Sequence, residues 1–300
     1  MTSLRVATYD LIAHRHTTCT GPSSPYLPLM AKLAALPGRG VISVEGEDRA
    51  AFLQGLVSND VALAKPGQAV WAAILTPQGK WLADFFVFSD GERLLLDCER
   101  EQVPMLIQRL TRFRLRSKVT LRAAEELHVH VAWDGQPGAT AIMSPDPRLS
   151  MAGWRLISDG PLPTTSFESD WDRHRIALGL PEGSRDMEAE KSILLEAGFD
   201  ELGGISWTKG CYMGQELTAR TKYRGLVKRR LVPVSVDGPL PAPGTPILRN
   251  GVDVGTMRSG RDQAGLALLR MDALEAPLSC GAATLTTSVP AWMRLTPNAG

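Results

Sequence analysis

Residues 71–98 constrain the fold more than any other stretch of this chain. Three runs of strand length, 71–75, 81–88 and 93–98, are rich in apolar, aromatic and β-branched side chains. Between them stand Thr76-Pro77-Gln78-Gly79-Lys80 and Ser89-Asp90-Gly91, both turn sequences. Strands joined by turns this short form a β-meander. Upstream, the β-branched run 41–44 ends at Glu45-Gly46 and reads as a buried strand. Residues 47–57 place Ala50, Phe52, Leu53, Leu56 and Val57 at helical spacing, and Ser58-Asn59-Asp60 stops them. Downstream, helices are expected over 101–110 and 171–178, the second ending at Gly179. Strands are expected over 112–121, 127–133 and 153–157. Beyond Val227 the texture changes to short β segments, with Asn250-Gly251 as a two-residue hairpin signal, which predicts a small barrel or sandwich.

Charge and cysteine content exclude several classes. The net charge of +1 provides no global field toward nucleic acid or membrane, so basic runs must be judged locally. No apolar stretch is long enough to span a bilayer. Cys19, Cys98, Cys211 and Cys280 are widely spaced, with no C-x-x-C pair and no zinc-like His/Cys cluster, so no metal site is expected. That usage fits a reducing compartment. The first 29 residues hold Arg5, His14, Arg15, His16 and a single acid, Asp10. Their composition is that of a mitochondrial transit peptide, but a plain extension, or a true start at Met30, is the favoured reading. Folding signals begin near Leu36.

Residues 209–216 read Lys209-Gly210-Cys211-Tyr212-Met213-Gly214-Gln215-Glu216. From 209 to 230 the only acid is Glu216, against Lys209, Arg220, Lys222, Arg224, Lys228, Arg229 and Arg230. Nearby cations favour a thiolate, and the flanking glycines permit unusual dihedrals. A helix starting near Gly214 would add the positive end of its dipole. The alternative is a small buried cysteine with no chemistry, and for Glu216 a helix-capping role. A second basic pattern, Arg112, Arg114, Arg116 and Lys118, repeats every second residue. In a strand it would line one face and turn Phe113, Leu115 and Val119 to the core. The charged face is read as solvated or paired, with a polyanionic ligand tail as the sharper option. There is no phosphate loop, no dinucleotide fingerprint and no G-x-S-x-G elbow.

The octapeptide resembles the K-G-C-[YF]-x-G-Q-E signature of YgfZ-type folate-binding proteins, relatives of the glycine cleavage T-protein, an aminomethyltransferase. Segments in the same order support the resemblance from about Gly40 onward. They are 52–60, Leu75-Thr76-Pro77-Gln78-Gly79-Lys80, Arg114-Leu115-Arg116-Ser117-Lys118-Val119, 175–181, Tyr223-Arg224-Gly225 and 265–270. The resemblance implies an α+β folate-binding core with ferredoxin-like parts over 36–226 and a small C-terminal β-barrel over 227–300, preceded by a flexible extension over 1–35. It implies tetrahydrofolate or a one-carbon derivative as ligand and iron–sulfur proteins or assembly factors as partners. Bacterial cytoplasm is the first compartment and the mitochondrial matrix the second.

Cys211 matches the family's functional cysteine, with Lys209 and Glu216 beside it. Trp171 matches a tryptophan associated with folate. Gln54, Asn59, Gln78, Asp84, Arg116, Tyr212, Gln215, Arg220 and Arg224 are the further ligand candidates. Lys209, Arg220 and Arg224 would lower the thiol pKa or hold the anionic glutamate tail. A second folate-linked tryptophan is missing near Arg39. Two T-protein features are altered: the G-Y-T-G-E segment gives way to Gly153-Trp154-Arg155, and the paired aspartates to Ala83-Asp84. Both changes argue against aminomethyl transfer. The alternatives are a folate-dependent transferase with Asp84 as acid/base, and a scaffold that binds no small ligand.

Overall fold

The structure, a computed structural model, describes residues 31–138, 140–275 and 277–295. β1 (Lys32–Ala35) pairs antiparallel with a later strand and buries Ala34, so order begins inside the expected 1–35 extension. Residues 1–30 lie outside the described residues. Next come β2 (Arg39–Glu45), α1 (Arg49–Gln54) and the meander β3 (Val70–Leu75), β4 (Trp81–Ser89) and β5 (Leu94–Glu99). α2 (Val103–Phe113) and β6 (Thr120–Ala123) complete the first sheet, ordered β3-β4-β5-β2-β6. β7 (His128–Trp133), β8 (Ile142–Pro145) and β9 (Trp154–Ser158) join β1 in a four-stranded sheet, ordered β1-β7-β9-β8.

α3 (Glu168–Leu178) ends at Gly179 in the left-handed conformation, as its glycine predicts; α4 (Gly183–Asp186) and α5 (Gln215–Tyr223) follow. The chain then closes a six-stranded barrel from β10 (Arg229–Asp237), β11 (Pro246–Arg249), β12 (Val252–Arg261), β13 (Ala264–Arg270), β14 (Leu278–Cys280) and β15 (Ala283–Thr287). Asn250 and Gly251 both take positive φ, 52° and 78°, as a type I′ hairpin requires.

The strand expected over 112–121 is not there. Val103, Leu106 and Leu110 bury one face of a helix that continues through Phe113, so the 3.6-residue period prevails over the alternation of charge. A turn follows, closed by Ser117 N–H donating to Arg114 O, and Leu115 takes φ 43°. Phe113 and Leu115 are 36% and 89% exposed instead of facing the core; of the expected inward residues only Val119 is buried.

The five-stranded sheet is buried on both faces, which is why its strands read as nearly continuous apolar runs. Trp71, Ala73 and Leu75 of β3 enter the main core toward the second sheet, while Val70, Ala72 and Ile74 enter a second core under α1 and α2. Buried ion pairs tie the layers. Asp97 of β5 accepts from Arg39 at 2.6 Å and from Arg155 of β9 at 2.7 Å. Arg155 and Arg148 share Asp146, and the Arg155 guanidinium lies 3.7 Å from the Phe86 ring centroid. Arg175 of α3 bonds Asp172, Asp186 and barrel Ser259, and Arg261 of β12 reaches Asp172. Burial works to raise the Asp172 carboxyl. The Arg185 hydrogen bond and the charges of Arg175 and Arg185 outweigh it and hold it well below the usual carboxylate range.

Removing Arg175 should leave Asp186 buried without an ion-pair partner, while Asp172 keeps Arg185 and Arg261. Arg175→Met is expected to cost about 3–5 kcal/mol of unfolding free energy, measured by urea melts. Because the Asp172 carboxyl is depressed in the folded state, its contribution is present above the unfolded value near 4 and fades as pH falls below it. The deficit of the Asp172→Asn variant should therefore shrink in acid.

Candidate functional site

The cysteine loop wraps the end of β3, an edge strand. Tyr212 is 6% exposed and belongs to the main core, whereas Met213 packs against the second core, so consecutive residues enter opposite sides of one sheet. Met213 N–H donates to Gly55 O at 3.3 Å. Lys209 Nζ donates to the carbonyls of Gln54 and of Val57, the latter at 2.7 Å, and lies 5.2 Å from the Tyr212 ring centroid. Gly214, at φ 81°, begins α5, and a Cβ on it would lie 2.5 Å from Thr76 O and 3.0 Å from Gly79 Cα. Gly79 is equally tight against Gly214 O. With its flanks fixed this way, Cys211 is the one exposed cysteine among the described residues; Cys98 and Cys280 are buried. Cys19 lies outside them.

Two of the three charges expected to serve the thiol are committed elsewhere. Lys209 points its ammonium into the end of α1, and burial brings its pKa down to about 8. Arg220 pairs with Glu216 at 2.8 Å on the exposed face of α5, four residues apart. Arg224 is exposed at the α5 C-cap. Burial pushes the Tyr212 phenol up to about 12, and its hydroxyl has no hydrogen-bond partner. Gln215 Oε1 accepts from Tyr212 N–H at 3.1 Å and so closes the loop.

Four other ligand candidates are structural where they stand. The Gln54 side chain bridges Asp60 and Val61 N–H. Asn59 donates to Trp71 O at 2.8 Å and Gly203 O at 2.7 Å. Trp171 is 1% exposed in the main core, with its indole N–H unpaired. Asp84 is 3% exposed and accepts from Trp71 Nε1 at 2.9 Å; its other oxygen has no partner, and burial pushes its carboxyl up. Placed so, Asp84 has no access to a substrate as an acid/base.

Two of the candidates line separate surface concavities. Arg116 lines a surface concavity of about 820 Å³ with Asp48 and Phe52, and Gln78 lines another of about 460 Å³ with Lys80 and Arg109. A third, of about 370 Å³, is bounded by Arg39, Glu99, Glu168, Glu182 and Arg185 and takes in none of the candidates.

Sequence reading missed Trp207, Asp200 and the role of Lys222. Asp200 accepts from Trp207 Nε1 at 2.7 Å and from Lys222 Nζ at 2.9 Å, and Lys222 stands 4.0 Å from the Trp207 ring centroid. The cluster locks the entry to the loop onto α5. Its only sequence signal was a tryptophan two residues before Lys209.

The family profile described as CAF17, C-terminal beta-barrel domain, matches residues 228–295. The human protein named iron-sulfur cluster assembly factor IBA57, mitochondrial, is 34% identical over 92% of this chain and 89% of its own length. The mouse protein of the same name is 33% identical over 86% and 84%. The Mycosarcoma maydis homolog is 38% identical over 68% and 57%. The crystal structure of glycine cleavage system aminomethyltransferase T from Bartonella henselae superposes with a TM-score of 0.68 at 14% identity, over 88% of this chain and 86% of that one. That likeness is one of fold: a T-protein-like α+β core followed by a barrel, as the resemblance implied.

Two outcomes follow from the loop's anchoring. Gly214→Ala combines a positive φ with a clash against Thr76 O and should lower unfolding free energy by about 2–3 kcal/mol, read by urea melts. Lys209 sheds its proton at about 8 when folded, against 10.5 ordinarily, so the unfolded state binds more protons in between. Stability should rise with pH across that window relative to a Lys209→Met variant, which lacks the titration.

Proposed function

We propose, from the premise that this chain belongs to the family of the IBA57 iron–sulfur cluster assembly factors, that it supports the assembly or maintenance of iron–sulfur proteins through Cys211. The observation that carries the reading is the contrast between that thiol and the residues that hold its loop: Lys209, Tyr212, Met213 and Gln215 are bonded or packed, and the Cys211 side chain faces solvent. A cluster takes several thiolate ligands. Among the described residues no three His, Cys, Asp or Glu side chains are grouped to hold a metal. One exposed thiol on a fixed loop suits a single, transient bond to iron in a cluster whose other ligands come from a partner. Iron is then cargo and the partner an iron–sulfur protein or assembly factor. The relatives are named mitochondrial, which favours the second of the two expected compartments over bacterial cytoplasm. Among the described residues no helix is long and apolar enough to cross a membrane.

Tetrahydrofolate, which the YgfZ resemblance implies, is not needed by this reading. The side chains chosen for it are internally bonded, buried or spread over separate surfaces. Titration of the protein with tetrahydrofolate is expected to give no saturable heat and no thermal shift. Saturable binding with quenching of tryptophan emission would restore a pterin site near Trp171 and with it the transferase alternative.

Cys211→Ala and Cys211→Ser should fold with the parent's urea midpoint and fail to restore iron–sulfur enzyme activity in cells lacking their own relative of this chain. Parental activity from either variant would remove the thiol from the mechanism.

A further inference from the structure

The turn that replaces the expected strand after α2 carries two features that folding does not explain. Leu115 holds φ 43°, a conformation costing an L-residue about 1–2 kcal/mol, and its side chain is 89% exposed. The same stretch is wholly basic in its charges: residues 102–124 contain Arg109, Arg112, Arg114, Arg116, Lys118 and Arg122 and no acid. Lys118 pairs with Glu47, and Arg122 with Glu45 and Glu126. Arg112, Arg114 and Arg116 are exposed and have no ion pair or side-chain hydrogen bond among the described residues.

The turn is nevertheless held in place. Asp48 Oδ2 accepts from Lys118 N–H at 2.7 Å, and Ser117 N–H donates to Arg114 O at 2.8 Å. Gly46 at φ 107° lies against the Lys118 carbonyl so closely that no Cβ would fit. Beside it opens the 820 Å³ concavity bounded by Asp48, Ala51, Phe52, Leu115, Arg116 and Ser117.

We propose that this turn is a docking surface for an acidic protein partner, which presents carboxylates to Arg112, Arg114 and Arg116 around an apolar recess that receives Leu115. Charge complementarity selects the partner. Three free guanidiniums on one rigid turn match planar carboxylates two bonds at a time. An apolar side chain presented on a fixed turn is the kind of anchor that fills a partner's pocket. A lipid surface is the poorer match, because the apolar stripe of α2 formed by Val103, Leu106 and Leu110 is turned into the protein and only Phe113 and Leu115 are exposed at the turn. A small anion would need cations that converge on one enclosed point, and the concavity takes in only Arg116 of the three. The surface uses none of the residues of the Cys211 loop, so its failure would leave the reading of the thiol untouched.

The test uses the full chain and a fluorescein-labelled peptide of alternating Glu and Leu, with binding read by anisotropy at low and high salt. Saturable binding is expected, weakened by salt. Arg112→Glu/Arg114→Glu/Arg116→Glu should lose at least about tenfold in affinity. Leu115→Gly should also lose affinity while keeping a urea midpoint near the parent's, because glycine relieves the positive φ. The proposal is overturned if the peptide does not bind, or if the triple variant binds as the parent does. It is overturned equally if Leu115→Gly lowers the urea midpoint, which would make Leu115 structural. Tighter binding, through the same arginines, to phosphatidylserine vesicles or single-stranded DNA would also overturn it.

Discussion

Two glycines meet where the cysteine loop crosses the tip of the β3–β4 hairpin, and neither has space for a Cβ. That contact sets the height of the loop above the sheet edge. It lets Tyr212 drop into one core and Met213 into the other, and it puts the start of α5 against the hairpin. The lysine of the motif then fastens the loop to the end of α1 through two backbone carbonyls. An edge strand normally presents unpaired backbone that must be covered. Here Val57 and Ser58 pair with Ile74 and Ala73, and the loop covers the end of the strand, so one device protects the sheet and displays a thiol.

Charge in this molecule is sorted by depth. Its net value of +1 conceals a dense set of buried pairs and a few unsatisfied cations outside. Asp97, Asp146, Asp172 and Asp186 each serve at least one buried guanidinium where the two sheets, α3 and the barrel meet. Such pairs add little net stability over apolar packing, but they penalise any arrangement that separates them. They fix how the layers sit. At the surface, by contrast, Arg112, Arg114 and Arg116 have no carboxylate partner among the described residues, which is the charge on which the proposed docking surface rests.

Much of the fold was legible because its strands are short, apolar and punctuated. The meander, the Asn250-Gly251 hairpin and the Gly179 helix end were read from turn chemistry alone. The alternation of arginines from 112 misled, because a two-residue period of charge says nothing about burial when the apolar residues before it keep a helical period. β1 is held by pairing with the distant β7, and β8 and β14, of four and three residues, pair with the strands that follow them but are too short to show a period, so none of the three gave a local signal. At the site, the exposure of Cys211 and the helix start at Gly214 followed from the motif. The roles of Lys209, Gln54 and Asn59 did not. A polar side chain in a motif looks the same in sequence whether it faces a ligand or a backbone carbonyl, and these three face carbonyls or the backbone around them.

The account rests on one sulfur held out to solvent by a loop that Lys209, Tyr212 and Met213 anchor to the sheet. Alkylation of the folded protein with iodoacetamide, followed residue by residue by mass spectrometry, tests this most directly. Cys211 should be modified rapidly and stoichiometrically in native buffer. Cys98, whose thiol burial pushes up to about 12, and Cys280, also raised by burial, should react only when the protein unfolds. If Cys211 is protected to the same degree as those two, the thiol is not displayed and the assignment of function to the loop is wrong.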